Sequence, residues 1–346
     1  MSAPTPAGRT HFFSCDWGTT SFRLRRVDAV TGEVLEQRQD ATGVRTLTAR
    51  CVGGDTAENV FADFLREQLR LPTAGKTVLL DGASVIISGM ASSSVGWREL
   101  PYAKAPLSLD AAGLVRAAFE FAVDAGARVR IQLISGLRTE TDIMRGEETE
   151  ILGIFAEGRH ADIAEAGVVV LPGTHSKHVR LGGGRITDFR TYMTGELFDI
   201  LSTHSLLRAS VQSDDSNLSS DFSTTACRDA FAAGVCEAAD RGLAGSLFQT
   251  RVRTVLHSVP PPVNRWFLSG LLIGSEVADL AAREPDARLL LAAAEPLHAA
   301  YRLTFKILGL DTELSVVPPE EMATASVRGH RVLLAAGAGP DLRPVK

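Results

Sequence analysis

One pattern of strands and turns occurs twice in this chain, and the repetition restricts its fold more than any other feature. Residues 11–17 read as a strand with Asp16 near its end, Gly18-Thr19-Thr20 as a tight turn, and 21–28 as a returning strand with Phe22, Leu24 and Val27 as its apolar positions. Thr31-Gly32 is a further turn, and 33–39 a third strand. The order returns 155 residues later: 167–171 is a strand, Gly173-Thr174-His175 a turn, 176–181 a strand, Gly182-Gly183-Gly184 a turn and 185–192 a strand. Gly18-Thr19-Thr20-Ser21 ahead of Arg23-Leu24 matches Gly173-Thr174-His175-Ser176 ahead of Arg180-Leu181. A match that carries the same run of strands and turns behind it predicts two similar sheets, each opening in an antiparallel meander.

The intervening sequence supplies helices. Apolar residues at Val60, Phe61, Phe64, Leu65 and Leu69 have helical spacing over 57–71. Residues 84–88 and 128–134 read as strands, 111–125 and the Glu-rich 146–155 as helices. The second half predicts helices near 196–207, 230–241 and 266–282, a strand at 288–291, a helix at 296–308, a strand at 313–317 and a closing helix from about 320. Residues 208–228, rich in Ser, Asp and Thr with few apolar anchors, read as a mobile surface loop. Alternating strands and helices predict an α/β protein. A chain of 346 residues exceeds one ordinary core. The expected division is 10–160 and 161–346, with a ligand in the cleft between them.

Composition removes several functions. A net charge of −5, with basic residues spread over both halves, does not suit a phosphate-backbone binder, so no nucleic-acid partner is expected. Cys15, Cys51, Cys227 and Cys236 form no CxxC pair and no zinc spacing, and read as free thiols in a reducing compartment. Residues 1–9 lack the apolar core of a signal peptide. Ser269, Ser275, Glu276 and Asp279 interrupt the most apolar helix candidate, so no membrane span is expected and the cytoplasm is the expected location.

Four places can carry chemistry. In Asp16-Trp17-Gly18-Thr19-Thr20-Ser21, glycine lets the backbone approach a phosphate, turn N–H groups and hydroxyls donate to its oxygens, and Asp16 holds a metal ion. The bland alternative is a hairpin that happens to follow an aspartate. Pro172-Gly173-Thr174-His175-Ser176-Lys177 offers a second such turn plus a lysine, which is otherwise an exposed strand residue. His175 and His178 lack a third ligand nearby for a metal site. Asp142-Ile143-Met144-Arg145-Gly146-Glu147-Glu148-Thr149 opens a helix, where carboxylates often only complement the dipole. The same position suits a base for a substrate hydroxyl, with Glu147 first and Asp142 second, and Arg145 as a bidentate clamp for a carboxylate. Small and hydroxylated residues from Ser88 to Ser94, ending at Trp97, suit a polyol pocket better than a linker.

In this order Asp16-Trp17-Gly18-Thr19-Thr20, Gly89-Met90 with Val95-Gly96-Trp97, Met144-Arg145-Gly146-Glu147-Glu148-Thr149 and Pro172-Gly173-Thr174-His175-Ser176-Lys177 resemble the 2-dehydro-3-deoxygalactonokinase family. The resemblance runs from Phe13 to near the C-terminus, through Asp188-Phe189-Arg190-Thr191, Thr194-Gly195-Glu196, Asp229-Ala230-Phe231-Ala232-Ala233-Gly234 and Phe267-Leu268-Ser269-Gly270-Leu271-Leu272-Ile273-Gly274. It implies a two-domain actin/hexokinase-like (ribonuclease H-like) fold with an interdomain cleft, ATP and Mg²⁺, and phosphorylation of the 6-hydroxyl of 2-dehydro-3-deoxy-D-galactonate in galactonate breakdown. Carried onto this chain, Asp16, Gly18, Thr19, Thr20, Gly173, Thr174, Lys177 and Gly270 bind nucleotide, with Asp16 at the metal. Gly89, Met90, Ser93, Trp97 and Arg145 bind the sugar acid, and Glu147, Asp142 and Arg145 serve the transfer. The chain departs from the family pattern at Ala91-Ser92-Ser93-Ser94 and near Ala294, where glycines are expected, and has Pro172 where many kinases of this fold have Asp. The competing readings are a kinase of another 2-keto-3-deoxy acid, a phosphatase or nucleotide hydrolase, and a non-catalytic sugar-acid sensor. A homodimer is left open.

Overall fold

The computed structural model describes residues 11–51, 56–70, 80–124, 126–212 and 221–337, which fall into two compact units. Unit 1 takes Met1–Ala161, Gly184–Asp188 and Thr324–Lys346, and unit 2 takes Asp162–Gly183 and Phe189–Ala323. This differs from the expected division in that the C-terminal helix belongs with unit 1.

In unit 1, β1 (His11–Trp17), β2 (Phe22–Asp28) and β3 (Val34–Asp40) form the antiparallel meander. Helices α1 (Val44–Arg50) and α2 (Ala57–Arg70) follow, and β4 (Ser84–Gly89) then pairs parallel to β1. Short strands β5 (Ala103–Lys104) and β6 (Leu107–Ser108) lead to β7 (Arg116–Ala122) and β8 (Arg128–Ile134). The main sheet has the order β3-β2-β1-β4-β8-β7. Within 111–125, expected as a helix, residues 116–122 form a strand. Its apolar spacing fits a helix face equally well, and pairing decides: β7 lies antiparallel along β8, with Phe119 opposite Ile131 and Phe121 opposite Val129. β9 (Leu137–Arg138) and β10 (Ile143–Met144) form a small hairpin before α3 (Glu147–Ile154).

The core of unit 1 is aromatic. Trp17 is fully buried and meets Phe22, Phe61, Phe64 and Trp97 at 4.9–6.5 Å between ring centroids. Truncating such a side chain to alanine removes about 3–5 kcal/mol.

Unit 2 repeats the plan. After α4 (Ala161–Glu165) at the junction come β11 (Ala166–Leu171), β12 (Ser176–Gly182) and β13 (Arg185–Tyr192), again a meander. The first residues of β13 group with unit 1, where Arg185 and Ile186 pair with β6. Helices α5 (Thr194–Thr203), α6 (Arg208–Val211), α7 (Thr225–Ser246), α8 (Gln249–His257) and α9 (Pro261–Arg283) follow. β14 (Leu289–Ala292), α10 (Leu297–Ile307), β15 (Leu314–Val317) and α11 (Pro319–Met322) complete the unit. β14 is parallel to β11, and β15 to β14, giving the order β15-β14-β11-β12-β13. Both sheets thus open third-second-first and continue with parallel strands, the actin/hexokinase-like arrangement. The loop expected over 208–228 is helical at both described ends, in α6 and from Thr225, while 213–220 lie outside the described residues.

The last helix, α12 (Ala325–Ala335), packs on α3 through glycines: a Cβ on Gly153 would collide with the Ala325 carbonyl, and one on Gly329 with that of Thr149. Among the described residues no helix is long and apolar enough to cross a membrane. All four cysteines are free.

Candidate active site

Parallel strands leave their C-terminal ends open to a ligand, and in unit 1 those ends carry Asp16, Gly89 and, nearby, the start of α3. The turn after β1 closes with Gly18 N–H donating to Ser21 O at 2.8 Å, leaving Thr19 and Thr20 exposed. The start of α1 seats this turn: Val44 N–H donates to Gly18 O and Arg45 N–H to Thr19 O, both at 3.0 Å. A trans peptide holds each C=O antiparallel to the following N–H. With the carbonyls tied to α1, the N–H groups of Thr19 and Thr20 face away from it, toward whatever the turn binds. Gly43 makes the seat possible, because a Cβ there would collide with the Thr19 carbonyl.

Beside the turn lies a group of carboxylates. Asp16 pairs with Arg23 at 3.5 Å, with 31% of its side chain exposed. Burial pushes its pKa up; Arg23 and Arg25 pull it down, and Glu147 pushes it up again. Glu147 and Glu150 are three apart on α3 and share a face. The Glu147 carboxylate accepts the Arg145 N–H at 3.0 Å, and that of buried Glu148 accepts the Gly146 N–H at 2.7 Å. Burial, reinforced by neighbouring carboxylates, pushes Glu148 and Glu150 up to about 8. Gly146 begins the helix at φ +113°. Gly89, which ends β4 at φ +89°, has no room for a side chain, since a Cβ would lie 2.6 Å from Trp17 O. A Cβ on Gly146 would in turn reach Gly89 Cα at 3.4 Å, so the ends of β1 and β4 and the start of α3 converge.

The second turn, in unit 2, is seated in the same way. Glu196 N–H, in the first turn of α5, donates to Thr174 O at 3.0 Å, which turns the His175 N–H away from α5. Gly195 permits the approach: a Cβ there would lie 2.6 Å from Gly173 O. A Cβ on Gly173 itself meets nothing within 4 Å, so the fold does not require that glycine. Lys177 is 3% exposed, and its ammonium donates to His175 O at 3.0 Å, placing a positive charge at the turn.

Other expected residues sit differently. The Arg145 guanidinium donates to Ser92 O and Ser92 Oγ, both at 2.7 Å, and stacks on Tyr102 at 4.2 Å, so its fork organises the loop after β4. Trp97, 4% exposed, packs on Trp17, Phe119 and Phe121 and offers a ligand no open face. Ser93 is buried and donates to Met90 O at 2.7 Å; Met90 is half-buried. Asp142 lies in the β9–β10 turn, where its carboxylate accepts the Ile143 N–H. Gly270 lies where α9 crosses α7, and a Cβ there would collide with Phe231 O. That close crossing is its visible role. His175 pairs with Glu196 at 2.6 Å and His178 with Glu276 at 2.9 Å. Among the described residues no group of three or more His, Cys, Asp or Glu side chains is placed to hold a metal.

Gly43, Gly195, Glu150 and Glu276 escaped the sequence reading as site residues. The first two had a signal: Thr42-Gly43 and Thr194-Gly195 each follow the third strand of their repeat.

Known proteins resemble this chain over most of its length. The profile of the family 2-keto-3-deoxy-galactonokinase matches residues 16–328. The 2-dehydro-3-deoxygalactonokinase of Escherichia coli (strain K12) is 32% identical over 312 residues, covering 87% of this chain and 91% of that protein. A Rhizobium meliloti (strain 1021) protein named "Probable 2-dehydro-3-deoxygalactonokinase DgoK1" is 34% identical over 287 residues, 79% of this chain and 81% of its own. A crystal structure of a candidate 2-dehydro-3-deoxygalactonokinase from Sinorhizobium meliloti superposes with a TM-score of 0.72 at 29% identity, covering 93% of this chain and 99% of that one. The chain belongs to the 2-keto-3-deoxy-galactonokinase family.

Proposed function

We propose that this enzyme transfers the γ-phosphoryl group of ATP to the 6-hydroxyl of 2-dehydro-3-deoxy-D-galactonate. The observation that carries the reading is the turn after β1, whose carbonyls are tied to α1 while Asp16 and Glu147 lie beside it. Phosphoryl transfer needs oriented donors for the phosphate oxygens, a carboxylate for the metal and a base for the acceptor hydroxyl.

Glu147 takes the proton of the 6-hydroxyl as that oxygen bonds to the γ-phosphorus. The bond from the γ-phosphorus to the β–γ bridging oxygen breaks, and ADP leaves. In unit 1 the N–H groups of Thr19 and Thr20 orient phosphate oxygens; in unit 2 the second turn is by itself a phosphate seat, with the His175 N–H facing away from α5 and Lys177 adding positive charge. Mg²⁺ suits the donor set, because it is held through one or two carboxylates plus phosphate and water oxygens. Asp16 would hold it, leaving Glu147 for the proton, and when bound it would neutralise phosphate charge. Arg145 keeps the loop at Ser92 and Leu100 in place beneath the sugar acid.

The test is coupled ADP release with a panel of 2-keto-3-deoxy acids. Turnover only with the galactonate-derived acid supports the full reading. Turnover without any acid indicates a hydrolase, and binding without turnover a sensor. Glu147→Gln is expected to lower kcat by about 10²–10⁴ with little change in KM. Wild-type kcat in that variant would move the base elsewhere.

A further inference from the structure

We propose that Glu276 is a positioning residue for phosphoryl transfer, holding the second turn in its working shape from below. This rests on the reading of that turn as a phosphate seat. Glu276 lies on α9 and is 3% exposed. Its Oε1 accepts from Ser176 Oγ at 2.6 Å and His178 Nε2 at 2.9 Å. Its Oε2 accepts from Thr194 Oγ1 and from Tyr301 OH at 2.8 Å. A carboxylate offers about four lone-pair sites, and all four have donors. Burial alone pushes its pKa up, but His178 and the hydroxyl donors outweigh burial and bring it below the ordinary value. The site is therefore an ionised carboxylate inside the protein.

Burying such a charge is an expensive way to hold a fold together, since apolar side chains of similar volume do it as well or better. What it supplies is geometry. Ser176 is the residue at which the chain leaves the turn and enters β12, and His178 is the next residue on the same face. Thr194 immediately precedes Gly195 and Glu196, the two residues on which the turn is seated. One carboxylate therefore fixes the exit of the turn and the helix start that supports it, and Tyr301 ties both to α10. Glutamine keeps the shape but has one carbonyl oxygen and an NH₂ group that cannot accept. Two of the four donors must then reverse or go without a partner.

The test uses the full chain with ATP and 2-dehydro-3-deoxy-D-galactonate, comparing Glu276→Gln, Thr194→Val and Thr194→Ser by steady-state kinetics and thermal denaturation. Glu276→Gln is expected to raise KM for ATP about tenfold and lower kcat about tenfold, with KM for the sugar acid within about twofold of wild type. Thr194→Val should raise KM for ATP about fivefold, and Thr194→Ser, which restores the hydroxyl, should return it to within about twofold. A lower melting temperature with unchanged kcat and KM for ATP in both Glu276→Gln and Thr194→Val overturns the proposal, as does an equal rise in both KM values. If Glu276→Gln does not fold, the Thr194 pair decides by the same criterion. Gly173→Ala separates this inference from the reading beneath it. If that variant leaves KM for ATP unchanged, the second turn is not the phosphate seat. If it raises KM for ATP while the Glu276 and Thr194 variants do not, only the role of Glu276 fails.

Discussion

The two glycine turns share a seat and differ in their floor. Each is tied to the start of the following helix, the first by two carbonyls (Gly18 and Thr19) at α1 beside Gly43 and the second by one (Thr174) at α5 beside Gly195. Beneath the first lie partly open carboxylates: Asp16, pushed up by burial, and Glu150, pushed up to about 8. Beneath the second lies Glu276, closed off by four donors and held below its ordinary value. The preceding residue differs likewise, Trp17 following Asp16 in one and Pro172 following Leu171 in the other. The same backbone device therefore serves two purposes. The acids beside the first turn are partly open or protonated by burial, whereas Glu276 behind the second is committed to the protein.

That contrast makes Asp16 the most sensitive position. Asp16→Asn is expected to lower kcat by about three orders of magnitude while circular dichroism stays unchanged. Turnover within about tenfold of wild type would erase the distinction between the floors.

The shared seats come next. Alanine at Gly43 or at Gly195 drives a methyl group into the turn that it supports. Each variant is expected to lose about 10²-fold in kcat/KM, on the ground that misplacement by an ångström has that effect. A silent Gly195→Ala beside a damaging Gly43→Ala would mean that only the first turn must be held rigidly.

Arg145 tests whether the loop after β4 belongs to the first floor. Lysine cannot reproduce a fork that reaches Ser92 O, Ser92 Oγ and Leu100 O together. Arg145→Lys is expected to raise KM for the sugar acid about tenfold and leave KM for ATP unchanged. A rise in KM for ATP instead would assign Arg145 to the phosphates.

The smallest effect is on stability. Glu148 stands at about 8 against an ordinary 4.5, so the folded protein keeps a proton that the unfolded chain gives up. The resulting stabilisation is complete below the unfolded value and is lost as pH rises through the folded one. His330, held neutral by burial and by Arg25, stands at about 3 against 6.5, so its contribution is complete above 6.5 and lost as pH falls toward 3. Unit 1 is therefore weakened on both sides of neutrality. Glu148→Gln is expected to reduce the fall in melting temperature between about pH 5 and pH 8 by roughly 2–4 °C. An unchanged slope would remove Glu148 from the alkaline limb.

Much of this architecture was legible because it is local. Both meanders followed from turn residues and strand periodicity, and the Gly-Thr turns marked the two turns that are seated on the helices after them. The strand β7 was misread because its apolar spacing also fits a helix, and only the edge of β8 settles the matter. The seats were missed because Gly43 acts on Thr19 and Gly195 on Gly173, contacts that no periodicity encodes. Trp97 was placed at a pocket for its chemistry, whereas its neighbours in space are Trp17, Phe119 and Phe121. Glu276 is 100 residues from Ser176 in sequence, and within its apolar helix it reads only as an interruption.

The return of α12 to unit 1 also sets an order of events during synthesis. Unit 2 is contained within 162–323, so all of its partners have been made before α12 appears. Unit 1 begins first and finishes last, because α3 has Gly153 and Thr149 waiting for Ala325 and Gly329, and Ser14 of β1 bonds His330 at 2.7 Å. A chain made only as far as residue 323 therefore contains every partner that unit 2 needs, while in unit 1 the helix bearing Glu147 still lacks its backing. The helix that carries Glu147 is thus completed by a segment made after the whole of unit 2.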